Sequence, residues 1–196
     1  MIGNFVQVFF TDMGVTAAAV GTIFVVARIW DAVNDPMFGV IVDKSHLKGG
    51  KFLPWLKMAN VLLPLTAVLI FLMPSSLGSG QEVAWAAVTY ILYGMAYTIS
   101  DVSVFSPTSA VTNQVQERTN LVSRNTMIST LAIVMISILV PVLYPRIGWK
   151  ATAILFTVLA AAMMLLLHGN VKERFVEENK EQVSLKETIL YLKNNR

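Results

Sequence analysis

Residues 20–46 read VGTIFVVARIWDAVNDPMFGVIVDKSH. The run is long and apolar enough to cross a hydrocarbon core about 30 Å thick as one helix, yet Arg28, Asp31, Asn34 and Asp35 interrupt it. Arg28, Asp31 and Asp35 fall at i, i+3 and i+7 and so share one helical face, with Asn34 beside them. A charge at the bilayer centre costs ~2.5–3.5 kcal/mol on insertion scales, and two carboxylates one turn apart also repel. Two kinds of compensation fit. Arg28 pairs with Asp31 as a structural bridge facing the bundle interior, or Asp31 and Asp35 hold a cation with the Asn34 amide oxygen, Na⁺ or a proton in its place. Pro36 lacks an N–H and so frees the carbonyl of Ala32, either as a further ligand or as a kink.

The rest of the chain is of the same kind. Of its 196 residues 55% are hydrophobic and only 14% charged, with mean hydropathy +0.63, whereas soluble domains are about 25% charged. That balance excludes disorder, a nucleic-acid-binding domain and most soluble enzymes. The absence of cysteine excludes a disulfide scaffold and thiolate metal sites. No nucleotide-binding glycine loop, zinc-ligand spacing or catalytic triad occurs, and no acid or nucleophile pair suits an intramembrane protease. The chain therefore reads as a membrane protein without enzymatic activity or organic cofactor.

Five apolar runs of spanning length are read at Val15–Ile41, Pro54–Met73, Val83–Phe105, Met127–Leu143 and Ala151–His168. A half-length run, Met1–Phe10, reads as the remnant of another, with upstream sequence expected before it. Short polar separators lie at Asp43–Gly50, Pro74–Gln81, Thr112–Asn125 and Tyr144–Lys150. The expected organisation is a helical bundle over 1–170, half a helix plus five spans, and a polar tail over 171–196. In the tail, Ser184 and Glu187 form a capping-box pair ahead of Leu185, Ile189 and Leu192. This spacing predicts a short amphipathic helix at the membrane surface, or one that binds a partner.

Charge sets the orientation, because cytoplasmic loops carry the excess of Lys and Arg. Of fifteen such residues, twelve fall on one side: Lys44, Lys48, Lys51 and Lys57, then Arg118 and Arg124, then six in the tail. Arg146 and Lys150 lie on the other side and Arg28 within a span. The tail is expected in the cytoplasm of a multi-pass cell-membrane protein. The lipid bilayer, and no nucleic acid, accounts for the basic clusters.

A second polar face lies in TYILYGMAYTISDVSVFSPTSA, residues 89–110. Gly94, Tyr97, Asp101 and Phe105 recur at i, i+3, i+7 and i+11, with Thr98 beside them. A carboxylate among aromatic rings is how proteins hold sugars: the acid bonds hydroxyls and a ring stacks on C–H faces. Packing is the alternative for the tyrosines, and for Tyr90 it is preferred. Arg124, after QERTNLVSR begins, either reaches a central cavity or anchors the chain at the interface.

RIWDAVNDPMFGVIVDKS, GGKFLPW, TYILYGMAYTISDVSVFSP and QERTNLVSR, in that order, resemble the melibiose permease family. These are the glycoside–pentoside–hexuronide:cation symporters of the major facilitator superfamily. The resemblance covers almost the whole chain and implies an all-α, major-facilitator-type N-terminal six-helix bundle lacking part of its first helix. It implies cation-coupled sugar or glycoside symport, with Na⁺ or H⁺ as coupling cation. Asp31, Asn34, Asp35 and Thr98 would take the cation positions, Asp31 and Asp35 being the ligands if it is Na⁺. Asp101, with Tyr97, would bind sugar, and Arg124 joins the substrate group. Phe105 stands where the melibiose permease has Trp. Asp43 and Lys51 fall in the loop between the second and third helices that takes part in conformational switching. Family members have two six-helix halves, so a C-terminal half is an expected partner and these 196 residues alone are not expected to carry out coupled transport. The alternatives are a non-transporting membrane fragment or assembly partner, and a related transporter of a non-sugar substrate.

The absence of native cysteine makes the topology directly measurable. An impermeant thiol reagent applied to intact cells is expected to label Ser79→Cys and to leave Ser45→Cys unlabelled; the reverse pattern inverts the orientation.

Overall fold

The segment TDMGVT, Thr11–Thr16, holds a helix stop and a helix start within six residues. A computed structural model describes residues 2–45, 53–105 and 115–170 of the chain, and α1 (Ile2–Asp12) ends here. The Val15 amide donates to Phe10 O (3.0 Å) and the Gly14 amide to Thr11 O (3.1 Å), with Gly14 at φ +99°. This is the Schellman arrangement, in which a left-handed glycine satisfies carbonyls that the helix end would otherwise leave open. Thr16 then caps α2 (Ala17–Lys44), its hydroxyl accepting from the Ala19 amide at 3.3 Å. At the far end of α2 the Ser45 hydroxyl donates to Val42 O (2.8 Å) and accepts from Trp55 Nε1 (3.1 Å). Phe38 and Trp55 meet edge to face at 5.0 Å, which ties the end of α2 to the start of α3 (Leu53–Phe71).

The chain returns through the turn after Phe71 into α4 (Ser79–Phe105). Gln81 reaches back so that its Oε1 accepts from the Gly78 amide (3.3 Å), half of a capping box. The last described element, α5 (Val115–Asn170), is helical throughout except at Gly148, whose φ +82° and ψ 163° break it into two arms.

Four helices among the described residues are long and apolar enough to cross a membrane: Ala17–Val42, Leu53–Phe71, Gly80–Ser103 and Thr119–Leu166. The fourth has 48 residues, about 72 Å at 1.5 Å per residue, more than twice the hydrocarbon thickness. Gly148 divides it into two arms, and the expected runs Met127–Leu143 and Ala151–His168 fall one on each arm, as Val15–Ile41, Pro54–Met73 and Val83–Phe105 overlap α2, α3 and α4. The expected separator Tyr144–Lys150 holds this break, which is narrower than a loop: Gly148 is the one non-helical residue and the residues on both sides of it are helical. Asp43 differs from expectation, because it lies in the last turn of α2 rather than in a loop. Lys51 and the expected tail helix lie outside the described residues.

Packing is concentrated at one end of the bundle. Phe9, Phe10, Val15, Ile70, Phe71, Met73 and Ala153 are buried together around the two turns and the Gly148 break. Away from that end the helices present apolar side chains outward, Val25, Ile29, Val61, Leu65, Leu131 and Leu166 each being exposed by more than half. A continuous apolar surface of this kind is the lipid-facing surface of a spanning bundle.

The conformation at Gly148 is open almost only to glycine, although a Cβ there meets nothing within 4 Å. Gly148→Ala is therefore expected to destabilise the chain by roughly 1–3 kcal/mol through backbone strain alone. Denaturant titration in detergent micelles measures it, and an unchanged midpoint would mean that the break relaxes freely.

Candidate functional site

Helices α2 and α4 are not consecutive, yet they lie side by side. Phe24 stacks near Tyr90 with ring centres 5.0 Å apart, Asp31 reaches Gly94, and Asn34 and Asp35 reach Thr98. Positions advance together along both helices, so the two run parallel. Asp31 and Asp35 lie about 21 and 27 Å from the start of α2, and Gly94 and Thr98 about 22 and 28 Å from the start of α4, at 1.5 Å per residue. The meeting therefore runs from the middle of both helices toward their C-terminal thirds.

Thr98 is its centre. Its hydroxyl donates to Asp35 Oδ1 at 2.7 Å and accepts from Asn34 Nδ2 at 3.2 Å, with the Gly94 carbonyl a second acceptor at 3.2 Å. Asn34 is 3% and Thr98 6% exposed, whereas Asp35 is exposed. One turn earlier, Asp31 sits between its own helix and α4. Its Oδ2 is 3.7 Å from Arg28 Nη1, and its Oδ1 lies where a Cβ on Gly94 would approach to 3.3 Å. Arg28 is mostly exposed, so the ion pair is loose and leaves the Asp31 carboxylate short of full compensation. The i, i+4 pair Asp31/Asp35 on α2 thus faces the i, i+4 pair Gly94/Thr98 on α4.

These residues supply two carboxylates, a hydroxyl and an amide within two helical turns. Hard oxygen donors in that number suit a monovalent cation or a proton. Among the described residues no three of His, Cys, Asp and Glu gather as a metal site. A shallow hollow lined by Phe24, Val25, Arg28, Ile29 and Ala32 lies beside this cluster; with Arg28 its single polar lining side chain, it offers donors but no side-chain acceptor.

The structure brings Asn34, Asp35 and Thr98 into one hydrogen-bonded group and places Asp31 beside it. Asp101 is exposed on α4, one turn beyond Tyr97, and Tyr97 is half exposed with its ring 6.2 Å from that of Tyr93. Arg124 is exposed on the first arm of α5 and makes none of the contacts that define the α2–α4 cluster. The side chains of Phe105 and Asp43 lie outside the described residues. Sequence reasoning placed Gly94 on the polar face of α4 but missed its part as the floor beneath Asp31. The signal was its spacing of four from Thr98, matching that of Asp31 from Asp35.

Spanning helices that are apolar outside and joined inside by a carboxylate–hydroxyl–amide cluster define an all-α, multi-pass membrane protein. Residues 1–196 match the family described as MFS/sugar transport protein, and the chain belongs to that family. Over its full length it is 30% identical to the isoprimeverose transporter of Lactiplantibacillus pentosus, covering 43% of that protein. It is 28% identical to the inner membrane symporter YicJ of Escherichia coli K12 over 94% of the chain and 42% of the relative. It is 31% identical to a glucuronide carrier protein homolog of the same organism over 69% of the chain and 30% of the relative. The chain thus spans less than half the length of the curated relatives it matches, and those relatives are named as transporters.

Thr98→Val preserves shape and removes the hydroxyl, leaving Asn34 Nδ2 without its buried acceptor. The expected cost is about 1–3 kcal/mol of stability, read from the thermal midpoint in micelles. Thr98→Ser is expected to cost less than half of that, and equal losses for the two variants would show that the methyl group rather than the hydroxyl matters.

Proposed function

We propose that the chain forms part of a cation-coupled sugar or glycoside symporter of the cell membrane, with its C-terminal tail in the cytoplasm. Asp31, Asn34, Asp35 and Thr98 take the coupling cation, and Asp101 with Tyr97 contacts the sugar. The observation that carries this reading is the Asn34–Thr98–Asp35 hydrogen-bonded group within the two spans, flanked by Asp31 on the bare face of Gly94. Two carboxylates one turn apart at membrane depth are tolerable when a positive charge is shared between them, and Arg28 contributes to only one of the two. Asp101 lies three residues beyond Thr98 on the same helix, so sugar and cation positions share one short segment of α4. Coupling then follows from geometry: a cation that draws Asp35 and Thr98 together fixes the rotation of the turn that carries Asp101.

The name of the isoprimeverose transporter supports a glycoside as substrate, and the glucuronide carrier homolog keeps hexuronides within the class. Transport by alternating access needs a second bundle opposing this one. We therefore assign the complete transport activity to the chain acting with such a partner bundle, and the cation-binding chemistry to the residues described here.

Binding of labelled isoprimeverose to membranes containing the protein is expected to strengthen at least several-fold when Na⁺ is added or the pH is lowered. Asp35→Asn is expected to abolish that enhancement while leaving residual sugar binding. Enhancement that survives in Asp35→Asn would place the cation elsewhere and make the carboxylate pair structural.

A further inference from the structure

The bundle end remote from the carboxylates holds a second long-range connection. Trp149 Nε1 donates to Asp12 Oδ2 at 2.9 Å across a sequence separation of 137 residues. Asp12 is the last residue of α1, two positions before Gly14, and Trp149 directly follows Gly148. Gly14 and Gly148 are the two glycines of positive φ among the described residues. One hydrogen bond therefore joins the two places where the backbone takes conformations that favour glycine.

The Trp149 ring is held on several sides. It stacks on Tyr144 across the break, with centroids 4.2 Å apart and planes at 15°, and lies over Phe71 at 6.2 Å and 20°. Phe9 meets it edge-on at 5.8 Å. The first arm of α5 has its own link to α1, from Asn4 Nδ2 to Ser137 Oγ at 3.4 Å. The second arm enters the packed cluster with Thr152 and Ala153, which are buried, and is then largely exposed through Leu166. Because nothing surrounds Gly148 within 4 Å of a Cβ position, local crowding does not fix the angle between the arms. What fixes it must act beside the break, where Thr152 Oγ1 donates to Gly148 O at 2.8 Å within α5 and the polar contact that reaches another helix is Asp12–Trp149.

We propose that the Asp12–Trp149 hydrogen bond is a latch on the Gly148 break. Closed, it holds the arm 149–170 to the end of α1; open, it lets that arm swing about Gly148 while 115–147 stays in place. Ring stacking is apolar and tolerates sliding, whereas an N–H···O bond is directional and weakens steeply off axis. The bond therefore sets the angle and the rings supply adhesion.

The test is a pair of distance measurements between spin labels on the full chain in lipid nanodiscs, where the lack of native cysteine leaves only the introduced sites. Labels at Gln7→Cys and Leu159→Cys report the second arm against α1, and labels at Gln7→Cys and Leu131→Cys report the first arm. Trp149→Phe, which keeps a ring and removes the donor, is expected to at least double the width of the first distribution and leave the second unchanged. Asp12→Ala is expected to do the same, the two together no more than either alone. Asp12→Asn retains an acceptor oxygen and is expected to keep the narrow distribution. The proposal is overturned if Trp149→Phe leaves the width as it was, if both label pairs broaden, if the two substitutions add, or if Asp12→Asn broadens as much as Asp12→Ala.

Discussion

A carboxylate near the middle of a membrane-spanning helix must find its compensation inside the protein, because neither water nor lipid tails can supply it. Asp31 and Asp35 impose that requirement twice within one turn. The arrangement of α2 against α4 answers it: the Thr98 hydroxyl donates to Asp35, and the missing side chain of Gly94 lets Asp31 lie close to the α4 backbone. Any rotation of α4 that removed Thr98 from Asp35 would also bury Asn34 Nδ2 without an acceptor. Helix rotation and helix register between α2 and α4 are thus constrained by one small polar group, while their parallel run follows from the return of the chain through α3. Apolar packing alone would not fix them, since helices in lipid gain little by exchanging one hydrocarbon contact for another.

The bundle divides its labour along its length. At one end aromatic and aliphatic side chains from α1, α3 and α5 pack closely around the two short turns and the Gly148 break. At the level of the carboxylates the contact between α2 and α4 is polar, and Asp35, Tyr97 and Asp101 remain open. A packed end and an open middle suit a bundle that holds its shape while offering donors to something that enters from the side.

The apolar runs were legible in the sequence because spanning length is a property of composition alone. They gave α2, α3 and α4 nearly to their ends. Asp31, Asn34 and Asp35 stood out because ionisable residues are rare at that depth, and Thr98 because it lies beside the polar face of Val83–Phe105 and the family resemblance gave it a cation position. Local pattern could not reveal which residue faces which. The contact between Asp31 and Gly94, and the bond between Asp12 and Trp149, depend on how separate helices are rotated against one another, which no periodicity within one helix encodes. Tyr144–Lys150 was legible in part: its proline, glycine and charge marked the place of a break, which the structure confines to Gly148.

The parallel pairing of α2 with α4 also bears on how the chain is made. Thr98 follows Asp35 by 63 positions, so synthesis delivers both acids to the membrane well before the hydroxyl that receives one of them. During that interval Asp31 has only Arg28 within its own helix, and Asp35 has no opposite charge within one turn. The rotation of α2 about its own axis is therefore settled late: α3 has already been made when Thr98 arrives, and the turn that carries Asp31 and Asp35 takes its final facing only once α4 lies beside it.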